Sequence, residues 1–304
     1  MSKFGILKKL VLVVLSLSIL VTGCGQSQSA IKEQTKSTEA IKKIRIGLSP
    51  DEDSAAVLLK YQQFVSYLSK KTGLQVEPFV GADYTAVVEA LNSGQLDVAW
   101  FGPSEYVLAT DVVKSGVEAF ASAVQAEGTV PYRSIFITRT DSQINGLADM
   151  SGKSIAFTDP ASTSGHIFGR YSLVQQGYKP DEYFKQLIYS GSHDACLLAV
   201  KNKQVDVAVI SSRKLPGFIK SGIVAENEIK TVFESVEIPE DPITYRKDLP
   251  QDVKDKLKAA FFDSTGELAT SLEGTGFAKF NSADDKSYDL VRKAFEVSGL
   301  KPKL

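Results

Sequence analysis

The segment Asp159-Pro160-Ala161-Ser162-Thr163-Ser164-Gly165 sets three consecutive hydroxyls ahead of a glycine, between an apolar run at Ser154–Phe157 and a helical pattern that begins near Ser164. A strand-to-helix turn presents backbone N–H groups without intrahelical acceptors, together with the positive end of the helix dipole. With hydroxyls beside them, such a turn can hold a small oxyanion without lysine or arginine. A single Ser or Thr there is an ordinary helix cap; three in a row followed by glycine favour an anion site. No Gly-Lys-Ser/Thr follows, so it is not a P-loop. His193 comes after Ser190-Gly191-Ser192, the equivalent position one strand-helix unit later. The dipole there disfavours an imidazolium, whereas a bound dianion would favour it or at least accept a hydrogen bond. His193 is therefore a candidate ligand contact, with a structural histidine as the alternative. His166, inside the helix after Gly165, reads as structural.

These turns need a scaffold that presents strand ends. From Lys43 onward strand-like runs alternate with helical patterns: strands at Ile44–Leu48, Leu74–Val80, Val98–Phe101 and Val117–Gln125, with helices between them near residues 57–68, 84–92 and 104–114. The rhythm repeats with strands at 134–138, 154–157, 186–189, 205–210 and 229–233 and helices at Ser164–Gln176, His193–Asn202 and Lys214–Lys220. A strand at Ile243–Arg246 and helices at about Gln251–Thr270 and Lys286–Val297 follow. This alternation predicts two α/β lobes with mainly parallel sheets covered on both faces. The phrases Leu96-Asp97-Val98-Ala99 and Val205-Asp206-Val207-Ala208 mark one strand in each half whose carboxyl end could face a ligand; any two βαβ units can look this similar.

Composition excludes several other classes. The 304 residues carry 35 basic and 36 acidic side chains, which is not the balance of a nucleic-acid binder. Two cysteines and two histidines cannot build a four-ligand Cys/His zinc site or a disulfide framework, and no metal or cofactor is expected. Lys3, Lys8 and Lys9 precede the apolar run Leu10–Val21, which predicts a signal peptide over residues 1–23, too short for a spanning helix. Its ending, Val21-Thr22-Gly23-Cys24, resembles a bacterial lipobox, which implies acylation of Cys24 and anchoring to the cell membrane from the extracytoplasmic side. An ordinary signal peptide or an uncleaved anchor is the alternative. Cleavage removes three lysines and no acid, taking the net charge from −1 to −4. Residues 24–40, rich in Ser, Gln, Lys and Thr, read as a solvated tether, and Cys196 as a small core residue.

Taken in order, several phrases resemble the phosphonate/phosphite-binding lipoproteins and periplasmic proteins of ABC importers: Gly81-Ala82-Asp83-Tyr84, Leu96 to Pro103, Asp159 to Gly165, Gly191-Ser192-His193-Asp194, Gln204 to Ala208, and Ile238-Pro239-Glu240-Asp241-Pro242-Ile243. The similarity spans about residues 43–262, and nothing after about Asp263 matches. It implies a two-lobed periplasmic-binding-protein fold, type II-like and hinged by two crossovers, with residues 41–130 and 240–304 in lobe 1 and 131–239 in lobe 2. It further implies that Ser162, Thr163 and Ser164 hold the phosphoryl oxygens, that His193 donates from the same lobe, and that Tyr84 and Tyr132 donate phenolic hydrogen bonds as the lobes close. Aromatic packing is the alternative for both tyrosines. Asp241 is the odd member, because a carboxylate repels a dianion unless a proton lies between them. It should then select ligands that keep a P–OH and reject sulfate, unless it is only a turn residue before Pro242. Where members taking aminoalkylphosphonates have a glutamate for the ammonium, gap-free alignment of Gln204–Arg213 puts Arg213, which points to a ligand without an amine. Trp100 and Phe101 are candidates for pocket lining or for core.

The expected function is thus capture of a small phosphorus oxyanion, such as phosphite, methylphosphonate or phosphate, between hinged lobes, followed by delivery to an ABC permease. The protein is expected to act as a monomer, without enzymatic activity and without nucleic acid. Rival readings are a same-fold protein for another anion or for a sensor, and an extracytoplasmic hydrolase using Ser164, His193 and Asp241. The hydrolase lacks a Gly-x-Ser-x-Gly elbow around its serine.

Overall fold

The computed structural model describes residues 41–128 and 130–302. The signal peptide, Cys24 and the tether expected over residues 1–40 lie outside the described residues. The first part of the chain runs β1 (Lys43–Leu48), α1 (Ser54–Thr72), β2 (Gln75–Val80), α2 (Tyr84–Asn92), β3 (Val98–Trp100), α3 (Pro103–Val112) and β4 (Val117–Gln125). The middle runs β5 (Ser134–Arg139), a 3-10 turn at Leu147–Met150, β6 (Ser154–Phe157), a π turn at Thr163–Ile167 continuous with α4 (Phe168–Gln175), α5 (Pro180–Tyr183), β7 (Gln186–Tyr189), α6 (His193–Lys201), β8 (Val207–Ser211), α7 (Leu215–Lys220) and β9 (Ile229–Glu234). The last part holds β10 (Pro242–Arg246), α8 (Gln251–Phe261), α9 (Glu267–Ser271), β11 (Phe277–Ser282), a 3-10 turn at Asp285–Tyr288 and α10 (Asp289–Val297).

Two sheets form, in the orders β11-β4-β10-β3-β1-β2 and β7-β6-β8-β5-β9. The second is built from one continuous stretch, whereas the first takes strands from both flanking segments. The chain therefore crosses between the sheets twice, giving the two-lobed α/β architecture. The crossovers are tied to each other, with Ile238 N donating to Tyr132 O at 2.8 Å and Ser235 N to Ser134 O at 2.9 Å.

The sheets are mixed, not mainly parallel as the alternation predicts. Strands joined through helices do pair in parallel: β1 with β2 and β3, and β6 with β7 and β8. The exceptions are β5 and β10, which arrive from a crossover, and β11, which follows β10 through α8 and α9 and pairs antiparallel with β4. β10 inserts antiparallel between β3 and β4, and β5 antiparallel between β8 and β9. A βαβ connection enforces parallel pairing, and a long crossover does not.

Local chemistry sets the element ends. Asp53 caps α1 by accepting from Ala55 N and Ala56 N, and Gly73 ends it in the left-handed region at φ 68°. The single helix expected over 251–270 is two, because Asp263 accepts from Thr265 N in a local turn and Gly266, at φ 88°, restarts the chain into α9. The first sheet packs one face on α1, α8 and α9 around Phe64, Trp100, Phe261 and Phe280. The other core, around Tyr84, Phe101, Val291 and Phe295, continues into Ile167, Phe168 and Tyr171 beside the second sheet. The tail that matched no motif thus supplies an edge strand, β11, and the helix α10 that packs where the two lobes meet.

Candidate functional site

The carboxyl ends of β1, β3, β6 and β8 converge on one cavity of about 360 Å³. All ten positions singled out from the sequence for ligand contact or lining border it: Tyr84, Trp100, Phe101, Tyr132, Ser162, Thr163, Ser164, His193, Arg213 and Asp241.

The hydroxyl turn follows β6 as expected. Ser162 is the cap, accepting from Gly165 N at 3.1 Å, and the three hydroxyl residues are 1–2% exposed. Gly165 is required by close approach: a Cβ there would lie 2.1 Å from Thr158 Oγ1. The first-turn N–H groups of Thr163 and Ser164 are of the kind that helix geometry leaves without an internal acceptor. The Thr163 hydroxyl is committed across the cavity, accepting from Ser104 N at 2.9 Å and sharing a hydrogen bond with Ser104 Oγ at 2.8 Å. That hydroxyl is therefore engaged within the protein, leaving the Thr163 backbone N–H facing the turn, while Ser164 Oγ accepts a long 3.3 Å bond from Tyr132 OH.

His193 starts α6, and its ring is fixed by its surroundings. Ser211 N donates to Nδ1 at 3.3 Å, so the neutral ring carries its proton on Nε2. Burial, reinforced by the nearby Lys214 ammonium, pushes its pKa down to about 4, so at neutral pH it is an uncharged donor. His166 is occupied elsewhere, with Nδ1 donating to Pro160 O at 2.8 Å and Nε2 accepting from Tyr189 OH at 3.0 Å. Cys196 is fully buried and its thiol is pushed up to about 11.

Facing this wall, Tyr84 is 4% exposed and its hydroxyl makes no well-formed hydrogen bond among the described residues, with Ser162 its close neighbour. A buried donor without a partner costs on the order of 1–3 kcal/mol, which a bound acceptor would recover. Asp241 precedes β10, and burial pushes its pKa up to about 7 against the pull of Arg213. Arg213 pairs with Glu240 and, at 3.4 Å, with Asp241, and its guanidinium lies 3.9 Å above the Tyr132 ring. Trp100 and Phe101 border the cavity while belonging to the cores, Trp100 packing against Tyr61, Phe64, Phe277 and Phe280.

Residues without a sequence signal complete the lining. Ser49 and Asp51 follow the carboxyl end of β1, Lys214 follows Arg213, and Glu105 sits in the first turn of α3. Lys214 Nζ reaches Asp51 at 2.7 Å and also pairs with Glu52, and His193 N donates to Asp51 O at 3.1 Å. The rule that ligands sit beyond strand ends could have flagged Ser49 and Asp51.

A family model described as "ABC transporter, phosphonate, periplasmic substrate-binding protein" matches residues 46–288. The chain belongs to this family. It is 30% identical to the phosphonates-binding periplasmic protein of Escherichia coli, over 90% of this chain and 83% of that one. It is 29% identical to the phosphate-import protein PhnD of Mycolicibacterium smegmatis, over 93% of each. The crystal structure of a binding protein component of an ABC phosphonate transporter from Pseudomonas aeruginosa superimposes with a TM-score of 0.79 at 28% identity, covering 85% of this chain and 87% of that one. As a member of the phosphonate-binding family, the protein is an extracytoplasmic binding component of an ABC transporter and not an enzyme. No helix among the described residues is long and apolar enough to cross a membrane.

Proposed function

We propose that the protein captures phosphite, methylphosphonate or a related amine-free phosphorus oxyanion in this cavity and hands it to its permease. The observation that carries the reading is the buried, unpartnered Tyr84 hydroxyl beside a hydroxyl-rich helix start, on the same cavity as the neutral donor His193. Ser162, Thr163 and Ser164 hold the oxygens through backbone N–H groups and the free hydroxyls, and Tyr84, Tyr132 and His193 donate to them. Asp241, whose pKa of about 7 leaves it a proton to share near neutrality, accounts for rejection of sulfate. Arg213 is held between Glu240 and Asp241, so a ligand ammonium would have to displace it to pair with either acid. Phosphate stays among the candidates because the Mycolicibacterium relative is a phosphate-import protein.

The lobes, residues 41–130 with 240–304 and residues 131–239, close on the ligand about the crossovers near Glu127–Arg133 and Ser235–Asp241. The mature protein is a monomer tethered to the membrane by acylated Cys24. Calorimetric titration with phosphite, methylphosphonate, phosphate, sulfate and 2-aminoethylphosphonate tests the ligand reading. Tight binding of one of the first three is expected, and tightest binding of 2-aminoethylphosphonate or sulfate overturns it. Cys24→Ser should release the protein from the membrane fraction; continued attachment would refute the lipid anchor.

A further inference from the structure

Glu105 is the most deeply buried carboxyl group bordering the cavity, at 0% exposed, and no cation pairs with it among the described residues. Its oxygens are held by two groups. Gly102 N donates to Oε2 at 2.8 Å, and Ser49 Oγ lies 2.7 Å from Oε1 and 2.8 Å from Oε2. The titratable groups facing it from neighbouring elements are Asp159 on the second-lobe turn, Asp241 ahead of β10 and Tyr84 of α2, with Asp51 on the Ser49 loop. None is a cation, and the three aspartates are acids whose charge opposes another negative charge.

A buried carboxylate without a counter-charge costs several kcal/mol, and a carboxyl group escapes that cost by keeping its proton. The position of that proton follows from the hydrogen bonds. Oε2 already accepts from Gly102 N, so the proton sits on Oε1 and points at Ser49 Oγ. Toward an ionised Glu105, Ser49 Oγ is the donor; with the proton on Oε1 the roles reverse, so Ser49 accepts and its own O–H is free to turn toward the cavity that Ser49 borders.

We infer that Glu105 is a neutral acid donating to Ser49, and that Ser49 in turn donates to an oxygen of the bound anion. The inference rests on the reading of the cavity as a phosphorus-oxyanion site. Burial, the largest influence on Glu105, drives its pKa well above the ordinary carboxylate range. The chain adds a second first-lobe donor beside Tyr84, whereas the other donors singled out from the sequence lie on the second-lobe wall. It has a chemical consequence. If Glu105 loses its proton, Ser49 swings back to donate to the carboxylate, and the anion meets a lone pair backed by a negative charge.

Three variants of the full mature chain, titrated with phosphite and with methylphosphonate, test this. Glu105→Gln keeps the shape, accepts from Gly102 N and donates to Ser49, so it mimics the neutral acid at every pH. It should bind within about threefold of wild type at neutral pH, whereas Ser49→Ala should bind about tenfold more weakly. Adding Glu105→Gln to Ser49→Ala should change nothing further. Infrared spectra of the unliganded protein supply a second readout: the difference spectrum at pH 7 between wild type and Glu105→Gln, in which the Asp241 contribution cancels, should show a protonated-carboxyl carbonyl band from Glu105. Unchanged binding in Ser49→Ala, or the absence of that band, overturns the donor chain while leaving the site reading intact. Failure of wild type to bind any phosphorus oxyanion, with the band present, instead removes the site reading and leaves only the neutral acid.

Discussion

The two walls of the cavity solve opposite problems. The second-lobe wall, from Ser162 to Ser164 with His193, presents neutral donors: hydroxyls, first-turn N–H groups and an imidazole whose pKa near 4 keeps it uncharged at neutral pH. The first-lobe wall and its return strand present acids whose ionisation is opposed by burial, which pushes Asp241 up to about 7 and Glu105 well above the ordinary carboxylate range. Donors alone would hold any small oxyanion, sulfate included. Acids that keep a proton at working pH favour an anion with which that proton can be shared. On the proposed ligand reading, affinity would come mainly from the donor wall and discrimination from the acids.

The largest expected effect comes from deforming the donor wall. In Gly165→Ala the new Cβ falls 2.1 Å from Thr158 Oγ1 and 2.3 Å from Thr158 Cβ, and Thr158 itself hydrogen-bonds His193 Nδ1 at 3.1 Å. The clash should cost about 3 kcal/mol of stability or more, because overpacking a tight interior forces backbone shifts. It should also abolish measurable phosphite binding. Denaturant unfolding and calorimetry check both, and a stable variant with normal affinity would show that the turn is not built to this tolerance.

Removing one donor is milder. His193→Ala should weaken phosphite binding about 10- to 100-fold, the usual loss for a hydrogen bond to a charged partner. The same residue has a signature in stability. The pKa values of His193 and His166 are both depressed from 6.5 to about 4, so the unfolded chain binds more protons between these values. Their contribution is present above about 6.5 and is lost as pH falls toward 4. Substituting either histidine with an uncharged residue should flatten the acid limb of the stability curve in that window; an unchanged limb would mean the rings are already charged in the fold.

The donor wall was legible in the sequence, and the acid wall much less so. Three hydroxyls before Gly165 and a histidine after Gly191-Ser192 are local patterns, and the strand-helix rhythm around them fixes where they sit. Glu105 and Ser49 meet across 56 positions, and Lys214 reaches Glu52 across 162, so no window of sequence holds both partners. The direction of β5 and β10 was hidden for a related reason. Helix-linked strands carry their orientation in the connection, whereas a crossover leaves it to tertiary packing. The tail shows the same limit. The pattern of α10 marked a helix but not the neighbour it covers.

Asp241 tests the discriminating wall at about tenfold. Asp241→Asn replaces a shared proton with permanent amide donors, so phosphite should bind about tenfold more weakly and sulfate should become a ligand. With a folded pKa raised from 3.8 to about 7, wild-type affinity for phosphite should decline as pH rises through 7, and the variant should lose that component. Stability carries the same sign: the contribution of Asp241 is full below about 3.8 and lost as pH rises through 7. Competition titrations with sulfate decide the matter, and continued exclusion of sulfate by the variant would move discrimination elsewhere.

The smallest effect concerns what holds the walls together. Lys214, beyond β8, pairs with Asp51 at 2.7 Å and with Glu52, both beyond β1, while touching neither the hydroxyl turn nor Asp241 in any ion pair of the described residues. Lys214→Met keeps the aliphatic stem and removes the charge, leaving two partly buried acids without their shared cation. Because both acids retain some contact with water and Glu52 also pairs with Lys60 at 3.5 Å, the loss should be modest, about three- to tenfold in affinity. If the lobes close as proposed, the loss should fall on the dissociation rate, because the pair would then form on closure. Asp51→Asn in the Lys214→Met background should add little, because the two charges act as one unit in a double-mutant cycle. Additive losses would assign Asp51 a separate role in the cavity, and an altered sulfate-to-phosphite ratio would show that the bridge shapes the discriminating wall as well as joining the two.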